Sequence, residues 1–492
     1  VAKLGGNMSI KDNLRAIATI KTLQSEQRQP TKDELEILIQ FNGWGAMWEI
    51  FKPDHPKHNE LKFWLTESEF EAANASILNA HYTHPEIVKA IWEAVTHLGF
   101  KTGKILEPSC GIGYFLNEQP DNDWIAVELD PIPSAIAQYV NPKATIYNQG
   151  FEKVSLPDGY FDLAIGNVPF GNYSVFEPRY DGLLIHNHFI SKSVDLVRDG
   201  GLIALITSTG TLDAEGNREF RRSLSEKATL IAAIRMPSGT MSNAKTQVTT
   251  DLLIFQREPE PDAKWIETGE ILGLPINQYF INHPENLLGE VCLDKLYGNE
   301  RLALKNDGRD IPKAIAEVIT NIKLCYSVNP TSQDILLVPK ELQHLPVNSF
   351  CLWNQEIYQR QQGKLTHIPN SERIRANLEI LETLEELLDR QLYQTDGALA
   401  NIREHLNHQY DKFVRKYGYL SGDGNKSEFG KDPRYGLLCS LEVHGRKAPI
   451  FTQRTTRAYA VPSKCASPKD ALLHCLNVKG KVDLNWIAAR VT

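Results

Sequence analysis

Between residues 83 and 257 short apolar runs recur with polar or helix-like stretches between them. The runs are 104–107, 124–128, 144–147, 161–166, 202–207, 229–234 and 251–256. Each is short and nearly continuous, the pattern of a strand buried on both faces. Segments with 3.6-residue spacing separate most of them, at 85–98, 132–140, 184–197 and 217–226. Strands alternating with helices predict an α/β fold, a Rossmann-like sheet of seven mostly parallel strands with helices on both faces. Residues 10–80 read instead as helices. Leu14, Ile17, Ala18 and Lys21 begin one stripe, and Leu35, Leu38, Ile39 and Asn42 form another, opened by Thr31 as N-cap with Glu34 three residues on. Gly43-Trp-Gly45 breaks this region, which carries no catalytic pattern.

Beyond 257 the texture changes. Glu258-Pro-Glu-Pro261 marks a boundary, and 258–345 is mixed. Residues 372–417 predict two helices. One carries Ile374, Leu378, Leu381, Leu384, Leu388 and Leu392, and the other, after Gly397, carries Ile402, Leu406, Tyr410, Phe413 and Tyr417. The expected organisation is a helical N-terminal region (1–80), the α/β domain (81–257), a mixed α/β extension that is a candidate target-recognition region (258–370), a helical hairpin (371–418) and a basic, mixed C-terminal region (419–492).

Composition narrows the function classes. With 492 residues, 42% apolar and 23% charged, the chain matches a soluble protein of two to four domains. A net charge of −8 excludes a global positive field. A nucleic-acid partner must then meet a local basic patch or another chain. The stretch 412–457, rich in Lys and Arg with interleaved aromatics, is a candidate, with a solvated surface as the alternative. Seven scattered cysteines, none in C-x-x-C spacing, point to reduced thiols in a cytoplasmic protein and against a disulfide framework or zinc site. No apolar run reaches the roughly 18 residues of a membrane span, and no signal-peptide pattern opens the chain. A first residue of Val and an end at Ala-Arg-Val-Thr raise the expectation of a larger product.

The chemistry gathers at strand ends. Ile105-Leu-Glu-Pro-Ser-Cys-Gly-Ile-Gly113 is a strand running into a turn with two glycines, where backbone can approach a ligand closely. A dinucleotide turn would place glycine at the position of Leu116, so a pyrophosphate is disfavoured. The second strand ends in Val127-Glu-Leu-Asp-Pro131, which sets Glu128 to accept hydrogen bonds from a ribose diol and Leu129 to offer an apolar surface. The fourth ends in Gly166-Asn-Val-Pro-Phe-Gly171. There the amide oxygen of Asn167 and the carbonyl of Val168 can accept both hydrogens of a planar amine, Pro169 stiffens the turn, and Phe170 can stack on the ring bearing the amine.

Tyr82-Thr-His-Pro85, Glu107-Pro-Ser-Cys-Gly-Ile-Gly113, Glu128-Leu-Asp130 and Asn167-Val-Pro-Phe170 together resemble the ordered motifs of the γ-type amino-methyltransferases acting on DNA, over residues 80–257. More narrowly, the chain resembles the methylase part of large bacterial, plasmid and phage proteins that join an N6-adenine methylase to a Snf2-type helicase. Later segments at Tyr410–Gly418 and Val482–Trp486 share in this. The resemblance implies S-adenosylmethionine as cofactor, DNA as partner, a Snf2-type helicase domain or subunit, no membrane, and direct in-line methyl transfer to a flipped adenine in restriction, anti-restriction or phage defence. It implies that Thr83 holds the methionine carboxylate, that Glu107, Pro108, Ser109, Gly111 and Gly113 line the methionine and sulfonium region, that Glu128 and Leu129 hold the ribose and adenine, and that Phe151 lies against the adenine. The family often has an acidic residue before that aromatic. Gly150 stands there in this chain, with Gln149 or backbone as replacements.

Three rivals stay open: a protein glutamine N5-methyltransferase, a non-catalytic cofactor- or DNA-binding module of a helicase assembly, and N4-cytosine methylation. Other features take plain readings. His186-Asn-His188 lacks a ββα-metal nuclease context, His81 and His84 lack further ligands, and Arg218, Arg221 and Arg222 read as a solvated helix face, with phosphate contact the alternative.

Overall fold

The computed structural model describes residues 10–78, 82–240, 248–258, 264–296, 299–323, 325–326, 335–457, 461–480 and 482–491. His81 and residues 259–261 of the boundary motif lie outside them. The chain forms two compact units, Val1–Gln343 and His344–Thr492.

The first unit opens with α1 (Ile10–Glu26), α2 (Lys32–Leu38), α3 (His58–Trp64) and α4 (Glu67–Ala75). Capping boxes start α2 (Thr31 with Glu34) and α4 (Thr66 with Glu69), each satisfying two otherwise orphaned backbone donors. The buried face of α1 is rotated from the expected one. It carries Leu14, Ala16, Ile17, Ile20 and Leu23, while Ala18 is half-buried and Lys21 pairs with Glu69 at 2.5 Å.

The sheet follows with α5 (Pro85–His97), β1 (Lys104–Glu107), α6 (Tyr114–Glu118), β2 (Asp123–Glu128), α7 (Pro131–Val140), β3 (Thr145–Asn148), β4 (Phe161–Asn167), α8 (Ile185–Leu196), β5 (Val197–Ser208), α9 (Gly210–Asp213), α10 (Arg218–Ser225), β6 (Ala228–Met236) and β7 (Thr250–Arg257). All seven expected strands are present. Their order is β3-β2-β1-β4-β5-β7-β6, with β7 antiparallel to both neighbours and the rest parallel. This is the Rossmann-like sheet of seven mostly parallel strands anticipated in the sequence. Alternate residues feed opposite cores. Ile105, Leu163, Ile165, Leu252 and Ile254 face one side, and Leu106, Ala164, Leu253 and Phe255 the other. Strand order reverses between β1 and β4, so their carboxyl ends open a crevice.

The chain after β7 is built onto these same cores. Hairpin β8–β9 (Thr268–Ile271, Leu274–Asn277), α11 (Gln278–Asn282) and hairpin β10–β11 (Glu290–Leu296, Asn299–Lys305) lead to α12 (Ile311–Thr320). Ile311, Ile315 and Ile319 of α12 share a core with Ile87 and Ile91 of α5. Trp265, Ile276, Phe280 and Leu304 join the opposite core. Arg221, expected on a solvated face, is fully buried. It donates to the carbonyls of Ile266 (2.7 Å), Ala214 (2.8 Å) and Thr211 (3.4 Å), so it belongs to the scaffold and is withdrawn from phosphate. Arg218 does face solvent, paired with Glu267.

In the second unit β12 (Phe350–Trp353), β13 (Glu356–Arg360) and β14 (Leu365–His367) form an antiparallel sheet. The expected helical hairpin is α13 (Glu372–Arg390) and α14 (Ala400–Tyr417). Leu392 falls past the end of α13 and is exposed, whereas Leu387 is buried on the helix. In the basic stretch Lys416, Arg434, Lys447 and Arg454 pair with Glu372, Asp432, Asp411 and Asp396. Among the described residues no helix is long and apolar enough to cross a membrane, and no group of His, Cys, Asp or Glu is arranged to hold a metal ion.

Candidate active site

A cavity of 470 Å³ opens at the crevice between β1 and β4, within the range of small-ligand sites. Its floor is the turn after β1. The Cys110 N–H donates to Val127 O (2.9 Å) and the Gly113 N–H to Cys110 O (2.8 Å), folding the turn against β2. Gly111 has φ +54°, and a Cβ there would stand 2.9 Å from the Tyr82 ring. Glycine is therefore required both by conformation and by the close approach of Tyr82. Gly113 (φ +86°) caps α6 and packs toward α7 without lining the cavity.

Glu128 closes the tip of β2. Its carboxylate accepts from the N–H of Gly111 (2.8 Å) and of Asp130 (2.8 Å). Asn148 at the end of β3 donates to the carbonyls of Glu128 (2.9 Å) and Leu129 (3.1 Å), fixing that tip. Leu129 lines the cavity and is 70% exposed, an apolar surface without protein cover. Burial lifts the Glu128 carboxyl to about 7, with Asp130 adding to the rise and backbone N–H groups opposing it. Glu107 is held well above the usual carboxylate range by burial and then by Glu128.

Asn167, Val168 and Pro169, at the end of β4, line the same cavity as Glu107, Gly111 and Glu128. The Val168 N–H donates to Ile206 O (3.1 Å), extending the pairing with β5 and holding the tip in place. Gly166 leaves space for Glu107, whose Cγ would lie 3.1 Å from a Cβ at that position. Thr83, Pro108, Ser109 and Phe151 also line the cavity. Phe151 is 2% exposed and its ring packs on Phe189 at 5.0 Å. Phe170 is half-buried and outside the lining.

Two contributors were missed in the sequence. The first is a wall from the N-terminal helices. Phe41, Gly43, Trp44 and Ser76 line the cavity, and Asn13 of α1 pins the loop of the first three, donating to Gly43 O (2.6 Å) and accepting from the Asn42 N–H (2.9 Å). Its one local signal was the Gly43-Trp-Gly45 break. The second is Glu152. A Cβ at Gly150 would meet the Glu152 carboxylate oxygens at 2.2 and 2.3 Å, so this side chain folds back over Gly150 and lines the cavity. A carboxylate therefore stands where the resemblance expects one, supplied from two residues on. His84 caps α5 through the Glu86 N–H, and His188 is buried on α8.

The cavity fits a ligand that is cationic at one end and planar at the other. The buried atoms Thr83 Oγ1, Glu107 Oε2 and Gln149 Nε2 have no hydrogen-bond partner within the protein. Buried polar atoms usually find a partner in the protein, in water or in a ligand. The buried Glu107 carboxyl suits an ammonium or sulfonium, whose charge offsets the burial that disfavours its ionised form, Glu128 suits a diol, and Leu129 suits a flat ring. Cys110 is buried, and its thiol is raised by that burial, which makes it a poor nucleophile.

No family model matches the chain. Over 196 residues it is 28% identical to Defense against restriction protein B of Escherichia phage P1. The match covers 38% of this chain and 9% of that protein, so the chain spans under a tenth of the length of that relative. Among solved structures it is similar to a type I restriction-modification system methyltransferase subunit from Streptococcus thermophilus, at 14% identity over 63% of this chain and 79% of that one, with a TM-score of 0.34. It is also similar to a TehB-like SAM-dependent methyltransferase from Corynebacterium glutamicum, at 16% identity over 42% of this chain and 100% of that one, with a TM-score of 0.26.

Proposed function

We propose that this chain transfers a methyl group from S-adenosylmethionine to the N6 amino group of adenine in DNA. The observation that carries the reading is that the acceptor tip, Asn167 to Pro169, and the ligand turn with Glu107, Gly111 and Glu128 line one cavity. The cofactor, when bound, supplies an electrophilic methyl on a sulfonium. Thr83, Glu107 and Ser109 would hold its charged end, Glu128 its ribose, and Leu129, Phe151 and Glu152 its adenine. Asn167 and the Val168 carbonyl accept the two hydrogens of the target amine, which turns its lone pair toward the methyl. The target atom is buried in a duplex, so the base must leave the stack to reach this tip. Catalysis rests on positioning and on fixed acceptors.

The name of the phage P1 relative supports an anti-restriction setting, in which a Snf2-type helicase is the partner we propose. Incubation with labelled S-adenosylmethionine and mixed-sequence DNA, followed by nucleoside mass spectrometry, should yield N6-methyladenine. A product of N4-methylcytosine, or label found in protein glutamine with the DNA untouched, would reassign the acceptor.

Glu128 gives a pH signature. Its carboxyl, raised from 4.5 to about 7, favours the unliganded fold below 4.5, and that contribution is lost as pH rises through about 7. A diol donates to the ionised form, so cofactor affinity should strengthen from pH 6 to pH 8. Calorimetric titration across that range should show this slope in the unchanged protein and a flatter one in Glu128→Gln. Equal slopes would remove Glu128 from the ribose contact.

A further inference from the structure

We propose that Lys192 is a positioning residue that ties the cofactor wall of the cavity to its acceptor wall, with Glu177 as its link on the acceptor side. The inference rests on the methyl-transfer reading above for what the two walls hold. Lys192 lies on α8, 3% exposed. Its ammonium donates to Phe151 O (2.7 Å), Val154 O (3.0 Å) and both Glu177 oxygens (2.9 and 3.0 Å). It also stands 4.7 Å over the Phe151 ring. Glu177 is held a second time, by His188 Nε2 at 2.7 Å.

The two ends of this link belong to different walls. Gln149, Gly150, Phe151 and Glu152 form the segment after β3 that lines the cavity beside Leu129. Glu177 belongs to the segment joining the acceptor tip to α8, where Tyr173 and Val175 line the cavity. In that segment Val175 and Glu177 are half-buried while Phe176 between them is exposed, so both half-buried residues turn inward. A buried ammonium is costly unless fully paired, and an apolar side chain would fill the same space. What an apolar side chain cannot do is fix two backbone carbonyls and a distant carboxylate at set distances from one point. In-line transfer demands such control, since a displacement of about 1 Å between reacting groups costs on the order of a hundredfold in rate.

Lys192→Met and Glu177→Gln separate the two arms of the link. Glu177→Gln leaves Lys192 on the Phe151 and Val154 carbonyls, so the affinity for S-adenosylmethionine by calorimetry should stay within about twofold while kcat on duplex DNA falls about tenfold or more. Lys192→Met should weaken cofactor affinity and lower kcat together, each about tenfold or more. All assays are run well below the melting temperature of each variant. Hydrogen exchange on the full chain gives a readout free of activity: Lys192→Met should speed amide exchange in 150–154 and 171–177 together. If both variants only melt earlier and keep cofactor affinity and kcat, Lys192 serves stability alone and the proposal fails. Faster exchange in one segment without the other would also overturn it. If the unchanged protein methylates no DNA while exchange rises in both segments, the link stands and the functional reading falls.

Discussion

Replacing Asn167 by Ala is expected to slow methyl transfer by about two to three orders of magnitude while leaving affinity for S-adenosylmethionine close to that of the unchanged protein. The side chain ends β4 and lines the cavity opposite no cofactor contact that we assign. Its amide oxygen is one of two acceptors proposed for the target amine, and a preorganised acceptor lost from a water-poor site has an effect of this size. The Val168 N–H on Ile206 O holds the backbone of the tip, and that bond is kept in the variant. Single-turnover kinetics with saturating cofactor, alongside calorimetry, separate the two quantities. A variant that transfers at the unchanged rate would mean that the amine is gripped elsewhere. One that loses cofactor affinity as well would mean that Asn167 shapes the cavity rather than the reaction.

The largest effect on stability should come from Asp251→Ala. Arg235 and Asp251 are paired residues on β6 and β7, and both are buried. The guanidinium bonds Asp251 twice (2.7 and 2.8 Å), reaches Asp213 at 2.7 Å and stacks 4.4 Å from the Phe280 ring. Removing Asp251 leaves a buried cation with one carboxylate in place of two. Breaking such a pair costs about 3–5 kcal/mol, because the remaining charge keeps its desolvation penalty. Urea denaturation should show the loss. The double variant Arg235→Met, Asp251→Leu should recover part of it, since the buried cation goes with Asp251 while Asp213 keeps the Asn277 N–H. A single variant as stable as the unchanged protein would show that Asp213 alone satisfies the arginine.

What the sequence made legible follows from the range of each interaction. The seven strands were visible because a strand buried on both faces leaves an unbroken apolar run, whatever lies on either side of it. The glycine turn, Glu128 and the Asn167 tip were visible because each needs particular residue types within a few positions. The N-terminal wall was not, because Trp44 and Phe41 reach the cavity through contacts made far along the chain, and locally they read as a break between helices. Arg221 looked like a surface cation because its three acceptors are backbone carbonyls, which no residue pattern reveals. Glu152 was hidden for a related reason. The expected carboxylate was sought at position 150, whereas a side chain two residues on bends back to fill that space. Residues 258–345 read only as mixed, because their short elements bury against cores built by residues far along the chain.

The tether from Asn13 to the backbone of Asn42 and Gly43 has an evolutionary corollary. A segment to which no chemical step is assigned sets where one wall of the cavity stands. Substitutions on α1 can therefore shift that wall while every recognisable signature remains untouched, so two proteins with identical motifs need not hold a ligand equally well.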